Sequence, residues 1–131
     1  MTVIVLVLGL TVVVTPGAEA AQKCSGWKVR GAIAVKACTS HSPVKGLIHH
    51  HFRVRNVGVE DIRVTSFGAA YINGHSAGKI RGDNGATIRP GSWRGWSATS
   101  TRLKGKRYTT KAWAKYSGLP NASVTSPAIK G

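Results

Sequence analysis

Two cysteines, Cys24 and Cys38, place the tightest constraint on how this chain can fold. A continuous strand between them would hold its ends about 45 Å apart, whereas a disulfide needs Cα atoms within roughly 7 Å. If they pair, the chain must double back between them. The midpoint is Gly31, a residue suited to a left-handed turn position. Folding there sets Val29 opposite Ile33 and Trp27 opposite Val35, with the apolar side chains on one face. Lys28, Arg30 and Lys36 then fall toward solvent. Closing a loop of about 15 residues contributes roughly 3 kcal/mol in the chain-entropy model.

That the cysteines pair follows from the compartment the chain implies. An apolar run, Val3 to Val14, is followed by Pro16-Gly17 and then Ala18-Glu19-Ala20. This is the hydrophobic stretch and small-x-small pattern of a secretory signal peptide, although Met1-Thr2 lacks the usual basic residue. The run is shorter than the roughly 20 residues that span a bilayer. Cleavage is expected after Ala20, which makes 1–20 a signal peptide and 21–131 a secreted, extracellular domain. Ala21-Gln22-Lys23, ahead of Cys24, does not resemble a lipobox. Two cysteines in an exported chain read as one disulfide, not as metal ligands.

About 110 residues remain, the size of one domain with one core. The whole chain carries 19 Lys and Arg against four Asp and Glu, a formal charge of +15. Only Glu60, Asp61 and Asp83 follow Ala20 as carboxylates. Such a charge opposes compaction, so stability must come from burial and the disulfide. It also attracts polyanions: nucleic acid, acidic polysaccharide, wall phosphate polymers or anionic membrane.

After residue 20 no segment sustains a helical period, and short β-rich runs alternate with Gly, Pro and Asn. In Leu47 to Asn56, Ile48, Phe52 and Val54 share one parity and are expected inward. His49, His51, Arg53 and Arg55 share the other and are expected outward. Asn56-Val57-Gly58 turns the chain. Within residues 61–72, Ile62 and Val64 have one parity and Phe67, Ala69 and Tyr71 the other. A bulge near Ser66-Gly68 would bring all five to one face. Turns are expected at Asn73-Gly74, Asp83-Asn84-Gly85 and Pro90-Gly91, and strands around 86–89, 92–101, 107–116 and 122–129. Seven or eight short antiparallel strands predict an all-β, Ig-like two-sheet sandwich, with a small barrel as the alternative.

Three stretches, Phe52-Arg53-Val54-Arg55-Asn56-Val57-Gly58, Ile88-Arg89-Pro90-Gly91 and Lys111-Ala112-Trp113-Ala114, together with the cysteine pair, resemble small exported actinobacterial-type proteins of Ig-like fold. The resemblance implies a fold and a compartment and supplies no activity. A local disulfide departs from the antibody pattern, in which distant strands are joined.

His49 and His51 would point the same way, about 7 Å apart at Cα, and imidazole is a common ligand for zinc or copper. A third ligand would have to come from His41 or His75 through the fold, so the simpler reading is a polar strand face beside Arg53 and Arg55, with no metal and no cofactor. On the last long strand, Trp113 shares parity with Lys111 and Lys115, while Tyr108, Ala112, Ala114 and Tyr116 share the other. The commoner reading makes Trp113 the core tryptophan of a sandwich, with snorkelling lysines. The other puts it outside, as an aromatic–basic stripe that stacks on single-stranded nucleic acid or sugar. Trp93 and Trp96 have opposite parity, so one faces out, and Trp93, beside the Pro90-Gly91 turn, is the expected one. The candidate polyanion contacts are therefore Arg53, Arg55, Trp93, Arg94, Lys111, Trp113 and Lys115.

Catalytic readings find little support. No Gly-x-Ser-x-Gly, His-Glu-x-x-His or phosphate-loop pattern occurs. A small nuclease would need Glu60 with a histidine and an arginine. Arg81-Gly82-Asp83 reads as turn chemistry, and Asn121-Ala122-Ser123 as a glycosylation acceptor pattern. The expectation is a non-catalytic exported module that binds an anionic polymer or surface, with a cationic membrane-active protein or a nuclease as alternatives.

Overall fold

Side chains along 47–56 and 107–116 alternate between buried and more exposed positions, and one-sided burial of such runs produces paired sheets. A computed structural model describes residues 22–116 and 121–131. The expected signal peptide lies outside the described residues. Among the described residues ten strands form: β1 Lys23–Cys24, β2 Lys28–Arg30, β3 Ile33–His41, β4 Leu47–Asn56, β5 Ile62–Ile72, β6 His75–Ile88, β7 Trp93–Thr101, β8 Arg107–Tyr116, β9 Ala122–Thr125 and β10 Ile129–Lys130. Three of the ten, β1, β2 and β10, span only two or three residues.

The strands form an all-β antiparallel sandwich of two sheets, Ig-like in its layers. Sheet A runs β1-β3-β4-β7, with β2 also paired to β3; sheet B runs β10-β8-β5-β6, with β9 also paired to β8. The two edge strands β6 and β7 lie beside each other where the chain crosses between sheets. Cys24 and Cys38 are directly opposite in the β1–β3 pair and joined by a disulfide, with Cα atoms 4.0 Å apart. The bond stays within one sheet.

The fold-back around Gly31 forms, one residue out of the expected register. The loop is two residues, Gly31-Ala32, so Arg30 faces Ile33, Val29 faces Ala34 and Lys28 faces Val35. A two-residue loop with glycine first matches the twist of the flanking strands better than a loop centred on one residue. In a structure of period two, one residue of slip exchanges the faces. Val29 is accordingly 58% exposed and Trp27 is also exposed.

β4 has the expected bounds and the expected faces. Ile48, Phe52 and Val54 are fully buried, while His49, His51, Arg53 and Arg55 lie on the outer side. β5 differs from expectation. Its register against β8 is unbroken, so Val64, Ser66 and Ala70 face the core and Phe67 faces out, 43% exposed. The bulges sit on the partner instead. Three register shifts let the 14 residues of β6 pair with the 11 of β5. Asp83-Asn84-Gly85 is therefore part of a bulged strand and not a turn. Gly85, at φ 77°, supplies the left-handed residue such a bulge uses. The expected strand at 86–89 is the end of β6, Arg81-Gly82-Asp83 lies within the same strand, and the expected strand 122–129 divides into β9 and β10. Asn73-Gly74 makes the tight turn that its residues predict, both at positive φ.

The sheets pack through two apolar clusters. One joins Ile33, Val35, Phe52 and Val54 of sheet A to Val64, Ile80, Ala112 and Ala114 of sheet B. The other contains Ile48, Tyr108 and Ile129. Between them lies a buried polar belt. His50 Nδ1 is 2.8 Å from Thr110 Oγ1, and His50 Nε2 is 2.8 Å from Ser100 Oγ. Thr39 Oγ1 lies 2.7 Å from Thr110 Oγ1 and 2.8 Å from Ser126 Oγ. Hydroxyls donate or accept as required, so a neutral imidazole is satisfied on both nitrogens. Burial lowers the His50 pKa to about 4, partly offset by a backbone hydrogen bond.

Candidate functional site: two basic aromatic faces

Each sheet turns one face to the core and one to solvent, so the outward parity of β4, β7, β5 and β8 determines what the molecule presents. On sheet A, Arg55 stands opposite Trp93, Arg53 opposite Gly95 and Lys36, and His51 opposite Ser97. Trp93 is 52% exposed. Gly95 has no side chain, and the Trp93 ring lies close above it: a Cβ there would come within 3.1 Å of the indole. The Arg53 guanidinium sits 4.4 Å from the Trp93 ring centroid. This is a cation–π pair made across neighbouring strands. Beside it, Lys36 Nζ lies 5.2 Å from the Trp27 ring. An open cleft of about 270 Å³ runs over Gly95, walled by Trp93, Arg53, His49, His51 and Ser97.

His49 and His51 share the outer face as expected, with ring centroids 5.2 Å apart. Burial is the main cause that lowers the His51 pKa to about 4, with the charges of His49, Arg53 and Lys36 adding to it. Its Nδ1 is buried without a hydrogen-bond partner. No cluster of three or more His, Cys, Asp or Glu suited to a metal occurs among the described residues. Glu60 lies in the β4–β5 connection, where its backbone carbonyl accepts a hydrogen bond from Asn56 Nδ2. That end of β4 is about 17 Å from His51 along the strand.

Sheet B carries the second face. Trp113 is not the core tryptophan; Ala112 and Ala114 occupy the core parity of β8 and are buried, which turns Trp113 outward with Lys111 and Lys115. Small residues suit the inner positions because Phe52 fills the space between the sheets at this level. A Cβ added to Gly68, the neighbour of Ala112, would lie 2.8 Å from the Phe52 ring. Trp113 stacks on Phe67, its cross-strand neighbour, with ring centroids 4.7 Å apart and planes at 14°. Lys111 Nζ lies 5.0 Å from the Trp113 ring. Arg81 of β6 stands opposite Phe67, and Lys79 stands in line with Lys111 across Ala69. The sequence candidates omit Phe67, Arg81 and Lys79, because an expected bulge near Ser66-Gly68 places Phe67 in the core and an expected turn at Asp83-Asn84-Gly85 hides the length of β6.

The seven sequence candidates thus divide. Arg53, Arg55 and Trp93 belong to one face, and Lys111, Trp113 and Lys115 to the other. Arg94 belongs to neither. Alternation along β7 turns it toward sheet B, where its guanidinium pairs with the Asp83 carboxylate, including a contact of 3.3 Å from Nη2 to Oδ1. That pairing raises the Arg94 pKa. Trp96 faces inward and stacks on Phe52, with ring centroids 4.9 Å apart.

Among the described residues no helix is long and apolar enough to cross a membrane. Comparison with known protein families, with curated proteins and with solved structures finds no match to this chain.

Proposed function

We propose that this protein is an exported, non-catalytic module that binds an anionic extracellular polymer through its outer sheet faces. One observation carries the reading. Each outward tryptophan is paired with a cation, namely Trp27 with Lys36, Trp93 with Arg53 and Trp113 with Lys111. Of the carboxylates in the described residues, Asp83 is engaged at the β6–β7 edge and Glu60 and Asp61 lie in the β4–β5 connection, so neither face carries an acidic side chain. A face of this composition attracts phosphate, sulfate or carboxylate groups by charge and holds planar units by stacking.

The test is a binding panel of single-stranded DNA, sulfated polysaccharide, wall phosphate polymer and anionic vesicles across a salt series. Affinity for at least one linear polymer should fall linearly in log–log form as salt rises. Binding that is unchanged from low to high salt would remove the electrostatic basis of the reading. Leakage of vesicle contents, without binding to any soluble polymer, would replace it with the membrane-active alternative.

A further inference from the structure

We infer that one molecule holds two separate strands of single-stranded nucleic acid at once, one on each outer face. The inference rests on the polymer-binding reading above and names its ligand and valency. Two cation–aromatic clusters exist, and they point away from each other. Arg53 and Trp93 project from sheet A, Phe67, Trp113 and Lys111 from sheet B. Packed sheets stand about 10 Å apart, and the space between these two is filled by the Phe52 cluster and the His50 belt. At the β6–β7 edge, one of the routes from one face to the other, Arg94 is already neutralised by Asp83.

The nature of the ligand follows from the exposed rings. A strand of nucleic acid offers phosphates to the lysines and arginines and unstacked bases to the aromatics. Duplex DNA keeps its base faces covered, and a sugar ring of an acidic polysaccharide packs on an indole only through its C–H face, whereas an unstacked base offers a π-face that continues a ring stack. The Phe67–Trp113 stack is a pair of parallel rings that a base can extend, and the Trp93 ring beside Arg53 provides a second platform.

The test uses the full exported protein and an oligonucleotide of about eight nucleotides, a length suited to one such face. Titration under sedimentation control should give two oligonucleotides per chain. Protein captured on a bead-bound oligonucleotide should recruit a second, fluorescent one. The double variants Arg53→Ser/Trp93→Ala and Lys111→Ser/Trp113→Ala should each bind one oligonucleotide and recruit none. Trp113→Ala alone should weaken its face about tenfold and leave the salt slope unchanged, because stacking releases no counterions. One oligonucleotide per wild-type chain, or equal tryptophan dependence for a sulfated polysaccharide, would overturn the inference and leave the polymer reading intact. Binding to another polymer of the panel but not to the oligonucleotide would likewise overturn the inference alone, whereas absence of binding to every polymer of the panel would defeat the polymer reading itself. The wild-type stoichiometry decides the matter even if a variant folds poorly.

Discussion

Nδ1 of His50 lies 2.8 Å from Oγ1 of Thr110, and the two residues belong to opposite sheets. The contact crosses the interior of the sandwich between two apolar clusters and is continued by Thr39, Ser100 and Ser126. A polar belt in that position fixes the relative register of the sheets, since sliding either sheet would leave buried hydroxyls and an imidazole without partners.

The belt makes stability depend on pH. With a folded pKa of about 4 against an ordinary 6.5, His50 is neutral in the folded protein where the unfolded chain already binds a proton. Stability should be constant above pH 6.5, fall as pH drops from 6.5 toward 4, and level off below. The loss attributable to His50 is roughly 3 kcal/mol, and His51 acts in the same direction. Denaturant titrations at several pH values measure the slope. His50→Gln should lower stability at pH 7 and flatten the dependence; an unchanged slope would count against the buried neutral imidazole.

The disulfide ties β1 to β3 inside sheet A. Replacing both cysteines by serine should cost about 3 kcal/mol and lower the melting temperature by about 10–15 °C. Because neither outer aromatic cluster is built on β1, polymer affinity below the new melting point should be nearly unchanged. A loss of affinity in folded variant protein would mean that the staple also positions Lys36 and Trp27.

Phe52 of sheet A and Gly68 of sheet B meet across the interior. A methyl group at position 68 would clash with the Phe52 ring at 2.8 Å and crowd the Lys111 carbonyl at 3.1 Å. Gly68→Ala should therefore destabilise by about 1–3 kcal/mol. Phe52→Leu in the same chain should recover part of that loss, which a double-mutant cycle would register as a favourable coupling. Strictly additive effects would show that the clash is relieved elsewhere.

Arg94 is engaged by Asp83, so it should contribute less to polymer binding than Arg53. Arg53→Ala is expected to weaken binding several-fold more than Arg94→Ala. Asp83→Asn should raise affinity, since it frees a cation and removes a carboxylate. Its effect on stability should stay within about 1 kcal/mol, as is usual for an exposed pair. Equal losses for the two arginines would place Arg94 on the binding surface after all.

Much of the fold was legible because burial is one-sided. Along β4, alternation alone separates Ile48, Phe52 and Val54 from His49, His51, Arg53 and Arg55, and nothing nonlocal is needed to see it. The same logic places Trp93 outward, since Trp96 has the other parity. His50 was equally readable as inward, yet its partners were not: Thr110 and Ser100 lie 60 and 50 residues away, on other strands. The errors share a cause. Gly31 marked the fold-back but not its register, which depends on whether the loop has two residues or three. Gly85 signals positive φ, and a bulge uses that conformation as readily as a turn does.

The amino-acid sequence by itself determined the class of this protein: period-two strands, a cysteine pair that demands a local fold-back, and an excess of cations over carboxylates. Only the tertiary structure decided which side chains stand together. Cross-strand register set Arg53 over Trp93 and Phe67 against Trp113, and sheet packing sent those two clusters to opposite sides. Local pattern specifies the face of a residue, whereas its neighbours on that face come from strands distant in the chain. Their pairing is selected by the packing of both sheets at once.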